Sequence, residues 1–147
     1  MSRVFRSQSL HAQRQRLLKL LAYTLRALLV HGKQDAEAKD MAAFLALLLD
    51  DIQRLVDTTS TAWEKKGFWL KADKFRRDWA WAPRYRDLLY LALKDDNWDE
   101  LATHVAQLFG KVSTVQIPKR PRWGERPWEG AWKALQQRVN HEGLANG

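Results

Sequence analysis

The stretch WEKKGFWLKADKFRRDWAWAPRYR, residues 63–86, packs seven aromatic side chains and eight lysines or arginines into 24 positions. Rings stack on nucleobases and cations take phosphates, so such a mixture carries a nucleic-acid reading. Its spacing carries a plainer one. Phe68, Ala72, Phe75 and Trp79 recur at steps of four, three and four, which places them on one face of a helix and marks a core stripe. Leu70 and Trp81 fall off that stripe near Lys74 and Arg77, and Trp81 is the ring expected to be exposed for stacking. Pro83 biases Ala82 away from helical geometry, so one helix is expected over residues 68–81 and another from Pro83 onward. The run Leu88, Leu89, Tyr90, Leu91, Ala92, Leu93 is apolar nearly all round, which predicts that this second helix is the central one.

Outside this stretch the same helical period governs the chain. Ser9 is a good N-cap for a helix that ends at Gly32, with Leu10, Leu17, Leu18, Leu21, Leu25, Leu28 and Leu29 on a broad apolar face. Lys19 and Arg26 lie on the opposite side with Arg16 beside them. Asp35 caps the next helix, whose apolar residues keep phase from Met41 to Trp63 across the weak run Thr58–Thr61, so one long helix ending at Gly67 is expected. Asp50 and Asp51 are neighbours in sequence and point about 100° apart, which makes them a poor acid/base pair and predicts a solvated face. Asn97 with Glu100 opens a fifth helix that runs to Gly110. Val112–Ile117 is extended. Residues 118–130 hold an imperfect Arg-Pro repeat with three prolines, three arginines, one lysine and two tryptophans, which predicts an extended strap with Trp123 and Trp128 as plugs and Arg120, Arg122 and Arg126 outward. A last helix over about residues 128–139 and a frayed tail over 143–147 complete the reading, and residues 1–8 read as a basic arm.

The fold class is therefore all-α: one domain of 147 residues, a compact bundle of five or six helices with a Pro/Arg/Trp-rich strap before the last. The chain has no cysteine, and its four histidines form no pair at helical spacing, so neither a disulfide scaffold nor a metal site is expected. Gly-rich phosphate loops, zinc-protease helices, calcium loops and nucleophile elbows do not occur, and a non-catalytic protein without cofactor is the expectation. The acid-free first helix resembles a transit peptide or a membrane-surface helix, but it is too short and too charged to span a bilayer, and the first helix of a bundle is the simpler account. The cytoplasm is the expected compartment.

Net charge is +8, distributed in blocks of +7 over residues 1–34, −4 over 35–62, +4 over 63–93, −3 over 94–110 and +4 over 111–147. Alternating blocks make complementary surfaces, and the surplus favours anionic partners. The function read from the sequence is a basic helical binding subunit that contacts an RNA or DNA backbone within a larger assembly of protein subunits. Its candidate residues are Arg16, Lys19, Arg26, Lys74, Arg77, Trp81, Arg120, Arg122 and Arg126. In size, helical class and charge the chain resembles the small subunits of CRISPR effector complexes, a likeness that no shared motif accompanies. The rival reading is a protein–protein adaptor anchored by its tryptophans.

Overall fold

The computed structural model describes residues 9–145. Within them the protein is all-helical, with α1 (Leu10–His31), α2 (Ala36–Lys65), α3 (Trp69–Asp78), α4 (Trp81–Lys94), α5 (Trp98–Val112) and α6 (Ala131–His141). The basic arm expected over residues 1–8 lies outside the described residues.

Caps set the first boundaries as the sequence predicts. The Ser9 hydroxyl accepts from the Ala12 N–H at 3.0 Å, and α1 stops at Gly32, whose φ of 65° lets its N–H turn back to Leu28. Asp35 caps α2 through the Ala38 N–H at 2.9 Å. α2 is one helix through the weak Thr58–Thr61 run: the Thr58 hydroxyl donates back to the Arg54 carbonyl, which keeps it satisfied inside helical geometry.

The hub of the fold is α2, which packs against α1, α3, α4 and α6. Leu45, Leu49, Ile52 and Val56, one turn apart along it, are fully buried, and each such side chain is worth about 1.5–3 kcal/mol against exposure. This corrects the expectation that the fourth helix is central. Leu89, Ala92 and Leu93 of α4 are buried, but Leu91 is half exposed, so α4 is amphipathic and covers one side of α2.

The start of α4 also differs from expectation. Helix α3 ends at Asp78 and α4 begins at Trp81 after a two-residue turn, with Pro83 inside its first turn. The first four N–H groups of a helix have no intrahelical acceptor, so a proline there removes nothing the helix uses. Of the four stripe residues, Ala72 is fully buried, Phe75 and Trp79 pack half-buried against the core, and Phe68 is 52% exposed. Phe68 precedes the first turn of α3 and projects from the corner instead.

The acid at position 50 overturns its expected solvation. Asp50 has no exposed surface: it accepts from Arg54 at 2.9 Å, from Arg86 at 3.1 Å, from Arg138 at 3.0 Å and from the Ala145 N–H at 2.7 Å. Arg138 also reaches Asp51 at 2.8 Å, and Arg86 donates to the Ala145 carbonyl at 2.6 Å. Residues 143–145, expected to fray, are thus hydrogen-bonded to a buried charge cluster joining α2, α4 and α6. Residues 146 and 147 lie outside the described set.

Residues 113–130 connect α5 to α6 without regular structure. Glu37 and Asp40, one turn apart near the start of α2, hold its far end. Glu37 accepts from Arg126 at 3.0 Å and from the Trp128 indole at 3.1 Å. Asp40 accepts from the Gly130 and Trp132 N–H groups at 3.2 and 3.0 Å, capping α6 from another helix. Alternating charge blocks do meet in this fold, the acidic 35–62 block pairing with Arg76 and Arg86 of the 63–93 block and with Arg126 and Arg138 of the 111–147 block.

Candidate nucleic-acid interface

Helix α1 contains no acid, and neither does the run Lys111–Gly124. The fold lays these two segments together. Arg26 donates to the Val115 carbonyl at 3.3 Å, and the Tyr23 hydroxyl donates to the Glu125 carbonyl at 3.1 Å. The Tyr23 ring meets Trp123 edge-on at 5.4 Å and lies tilted at 6.1 Å from Trp128. Between α1 and the connector, a groove of about 530 Å³ is walled by Gln15 and Lys19 on one side and Thr114, Val115, Gln116, Ile117 and Pro118 on the other.

Lys19 and Tyr23 are one helical turn apart; Pro118 lies across the groove from the first, and Trp123 meets the ring of the second. Arg120 and Arg122 lie between those anchor points and are exposed. Prolines 118 and 121 restrict the backbone on which they are carried. Of the predicted cations, Lys19 lines this groove, Arg26 bonds to its Val115 wall, and Arg16, Arg120 and Arg122 are exposed on the same two segments. Among the described residues none of the five forms an ion pair with an acid, and only Arg26 is bonded to a neighbour, through a carbonyl. Lys119 belongs with them by position. It was not singled out from sequence, although the absence of any acid between Gly110 and Glu125 was the available signal.

Four of the residues singled out in the sequence stand elsewhere. Lys74 is paired with Asp78 at 2.8 Å within α3. Arg126 is committed to Glu37 and approaches Glu129, so it fastens the connector and does not point outward for a ligand. Trp81 is half-buried and stacks on Trp79 with ring centroids 5.6 Å apart, so one of its faces is taken by a neighbouring ring. Arg77 is exposed on α3 and, among the described residues, forms no hydrogen bond or ion pair with α1.

A buried cation explains how α1 and α3 meet. Arg14 is 8% exposed, with its guanidinium 5.0 Å from the Phe75 ring centroid and 5.4 Å from that of Trp79. Burial lowers its pKa from the ordinary value, and the two rings supply the compensating attraction. Arg14 is therefore a packing cation, while Arg16 and Lys19, two and five residues on, face solvent. Similarly, Arg76 is turned to Glu64 at 2.6 Å, across the α2–α3 corner. Residues 63–86 are thus structural at Arg76, Arg86 and the packed rings, while Lys65, Lys66, Arg77 and Arg84 are exposed and without an acid partner among the described residues, as are the cations of α1 and the connector named above.

Among the described residues no group of His, Asp and Glu side chains forms a metal site, and no helix is long and apolar enough to cross a membrane. Comparisons with protein families, with curated proteins and with solved structures find no match for this chain.

Proposed function

We propose that the protein is a non-catalytic binding module that holds the phosphate backbone of RNA or DNA on the face formed by α1 and the connector. The observation that carries this reading is the juxtaposition of two acid-free segments. Like charges laid side by side raise the energy of a fold unless a counter-charge is supplied, and elsewhere in this molecule cations such as Arg76, Arg86 and Arg138 are given acids. On this face they are given none. A polyanion supplies the missing charge along the length of the groove.

Residues 118–130, on this reading, act as a strap across a compact bundle: Trp123 and Trp128 fix it, and Arg120 and Arg122 are presented by it. The cations that remain available are Arg16, Lys19, Arg26, Lys119, Arg120 and Arg122. About six phosphate contacts give a slope near −5 for log affinity against log salt on duplex, and a shallower one on single strands. Sequence is expected to have little influence, since the contacts proposed are with phosphates. Lys19→Glu with Arg26→Glu is expected to weaken binding to all sequences alike and to reduce the slope by about two. Lys74→Gln, whose ammonium is spent on Asp78, leaves both unchanged. A titration at ~50 mM salt with no binding at micromolar protein overturns the proposal.

A second reading, the protein adaptor, is favoured by a separate observation. An apolar groove of about 270 Å³ lies between Leu28 and Leu29 of α1, Ala38 of α2 and Trp98, Leu101 and Val105 of α5. Leu29, which lines it, is 52% exposed. The two readings are compatible, one face for the polyanion and one for a neighbouring subunit of an assembly. They separate experimentally, because charge reversal on α1 spares the apolar groove.

A further inference from the structure

The corner between α2 and α3 carries three consecutive large apolar side chains in solvent: Phe68 is 52% exposed, Trp69 61% and Leu70 85%. Nothing in the proposed polyanion face uses them. The backbone beneath them is fixed. Gly67 takes a φ of 85°, its N–H returns to the Glu64 carbonyl at 2.9 Å, and the Phe68 N–H returns to the Trp63 carbonyl at 2.9 Å. This paired closure is a helix C-terminal motif that needs glycine at the left-handed position. The corner is therefore a firm prow rather than a floppy loop, with the apolar residues held out on it.

Cations surround the prow. Lys65 and Lys66 precede it and are exposed; Lys71 follows, its ammonium 4.3 Å from the Trp63 ring centroid. Of the two nearest acids, Glu64 is neutralised by Arg76, and Asp73 lies a turn further along α3. α3 also starts here without a side-chain cap, so its positive end adds to the same field.

We propose that this corner docks on an anionic lipid bilayer, with Phe68, Trp69 and Leu70 entering the headgroup and upper acyl region and Lys65, Lys66 and Lys71 meeting the lipid phosphates. Successive positions at the start of a helix point about 100° apart, so the three side chains splay around the corner. A rigid protein pocket or a base stack receives groups from one direction. A bilayer interface is soft and needs no preformed pocket, so it admits the apolar tip of a projecting corner while the lysines around it stay at the headgroups. Trp and Phe favour that interface, and lysine stems reach from apolar depth to the phosphates. Each lysine near an anionic surface adds to the attraction.

The test uses the full chain, freed of nucleic acid by nuclease treatment, in flotation with vesicles of phosphatidylcholine alone and with ~30% phosphatidylserine. Binding is expected to the mixed vesicles and to fall about tenfold or more on the neutral ones. Phe68→Ser with Trp69→Ser is expected to lower mixed-vesicle binding at least about tenfold while RNA affinity stays as it was. Because those side chains touch little of the core, their melting temperature serves as the folding control, and Leu70→Asp, the most exposed of the three, provides a second variant should the first pair misfold. No binding to mixed vesicles overturns the proposal. So does binding that survives both variants, which would be bulk attraction of a basic protein, and so does loss of RNA affinity in the variants without vesicle binding, which would assign the corner to the nucleic-acid face. Charge reversal of Lys19 and Arg26 tests the other surface, so the two proposals fail separately.

Discussion

Asp50→Ala is expected to destabilise the fold by about 3–5 kcal/mol, because it takes a shared acceptor from three arginines, one of them, Arg86, buried. For a chain of this size that is a fall in melting temperature of roughly 6–20 °C. Arg86 is the cation most exposed to the loss: its side chain is 4% accessible, with Asp87 and the Ala145 carbonyl as its remaining partners. Arg138 keeps Asp51, and Arg54, 42% accessible, can turn to water. Arg54→Ala should therefore cost no more than about 1 kcal/mol. Adding Arg86→Met to Asp50→Ala should recover part of the loss, since the unpaired charge leaves with its partner. Differential scanning calorimetry of the four proteins decides the matter. An Asp50→Ala change below about 1 kcal/mol would mean that water reaches the cluster.

The same carboxylate gives stability an acid limb. Burial raises the Asp50 pKa, but the Ala145 N–H, Arg54 and Arg138 together outweigh it and hold the group below its ordinary value of 3.8. A folded pKa beneath the unfolded one means that this contribution is whole above about 4 and is lost as pH falls through the folded value. Asp51 has the opposite sign. Burial, ahead of the attraction of Arg138, holds its pKa above 3.8, so its contribution is present below that value and fades as pH rises through the folded pKa. Asp50→Ala should flatten the acid limb of the melting curve, and Asp51→Asn should leave it in place.

Helical periodicity made most of this architecture legible. It placed α1, the uninterrupted α2 and the caps at Ser9, Asp35 and Asn97, because those depend on residues within one or two turns of each other. What it missed depends on partners far along the chain. Asp50 looks like half of a solvated acidic pair until α4, α6 and residue 145 bring it two further arginines and an amide. Trp81 looks free until a two-residue turn places it on Trp79. Phe68 has the right register for the core stripe, but register alone does not reveal that α3 starts one residue later. For the candidate site, the acid-free blocks were visible as composition, whereas the pairing that decides which cations are free was not. Lys74 has Asp78 four residues on, a pairing that helical spacing alone could have shown, whereas Arg126 is separated from the unpaired cations beside it only by the folded position of Glu37, 89 residues away in sequence.

Trp128→Ala carries the other large expected effect, about 3–5 kcal/mol, as the ring is 4% exposed and fastens the connector to the bundle. Two interactions meet in this side chain: the ring packs beside Tyr23, and its indole N–H donates to Glu37. They can be separated. Trp128→Phe keeps an aromatic body and gives up the hydrogen bond, while Glu37 retains Arg126, so a loss of roughly 1–2 kcal/mol is expected there. Trp123 gives the contrast. It packs edge-on to the same tyrosine, but its indole nitrogen is buried without a hydrogen-bond partner, so Trp123→Phe removes a donor that is already unsatisfied and should change stability by less than about 1 kcal/mol. Chemical denaturation read by far-ultraviolet circular dichroism measures all three without relying on the remaining tryptophans. If Trp128→Ala and Trp123→Phe prove equally mild, the connector is not fastened at Glu37 and Tyr23. The α1 cations would then lack a fixed neighbour, and nucleic-acid affinity would depend on α1 alone, with a salt slope near −3 on duplex in place of −5.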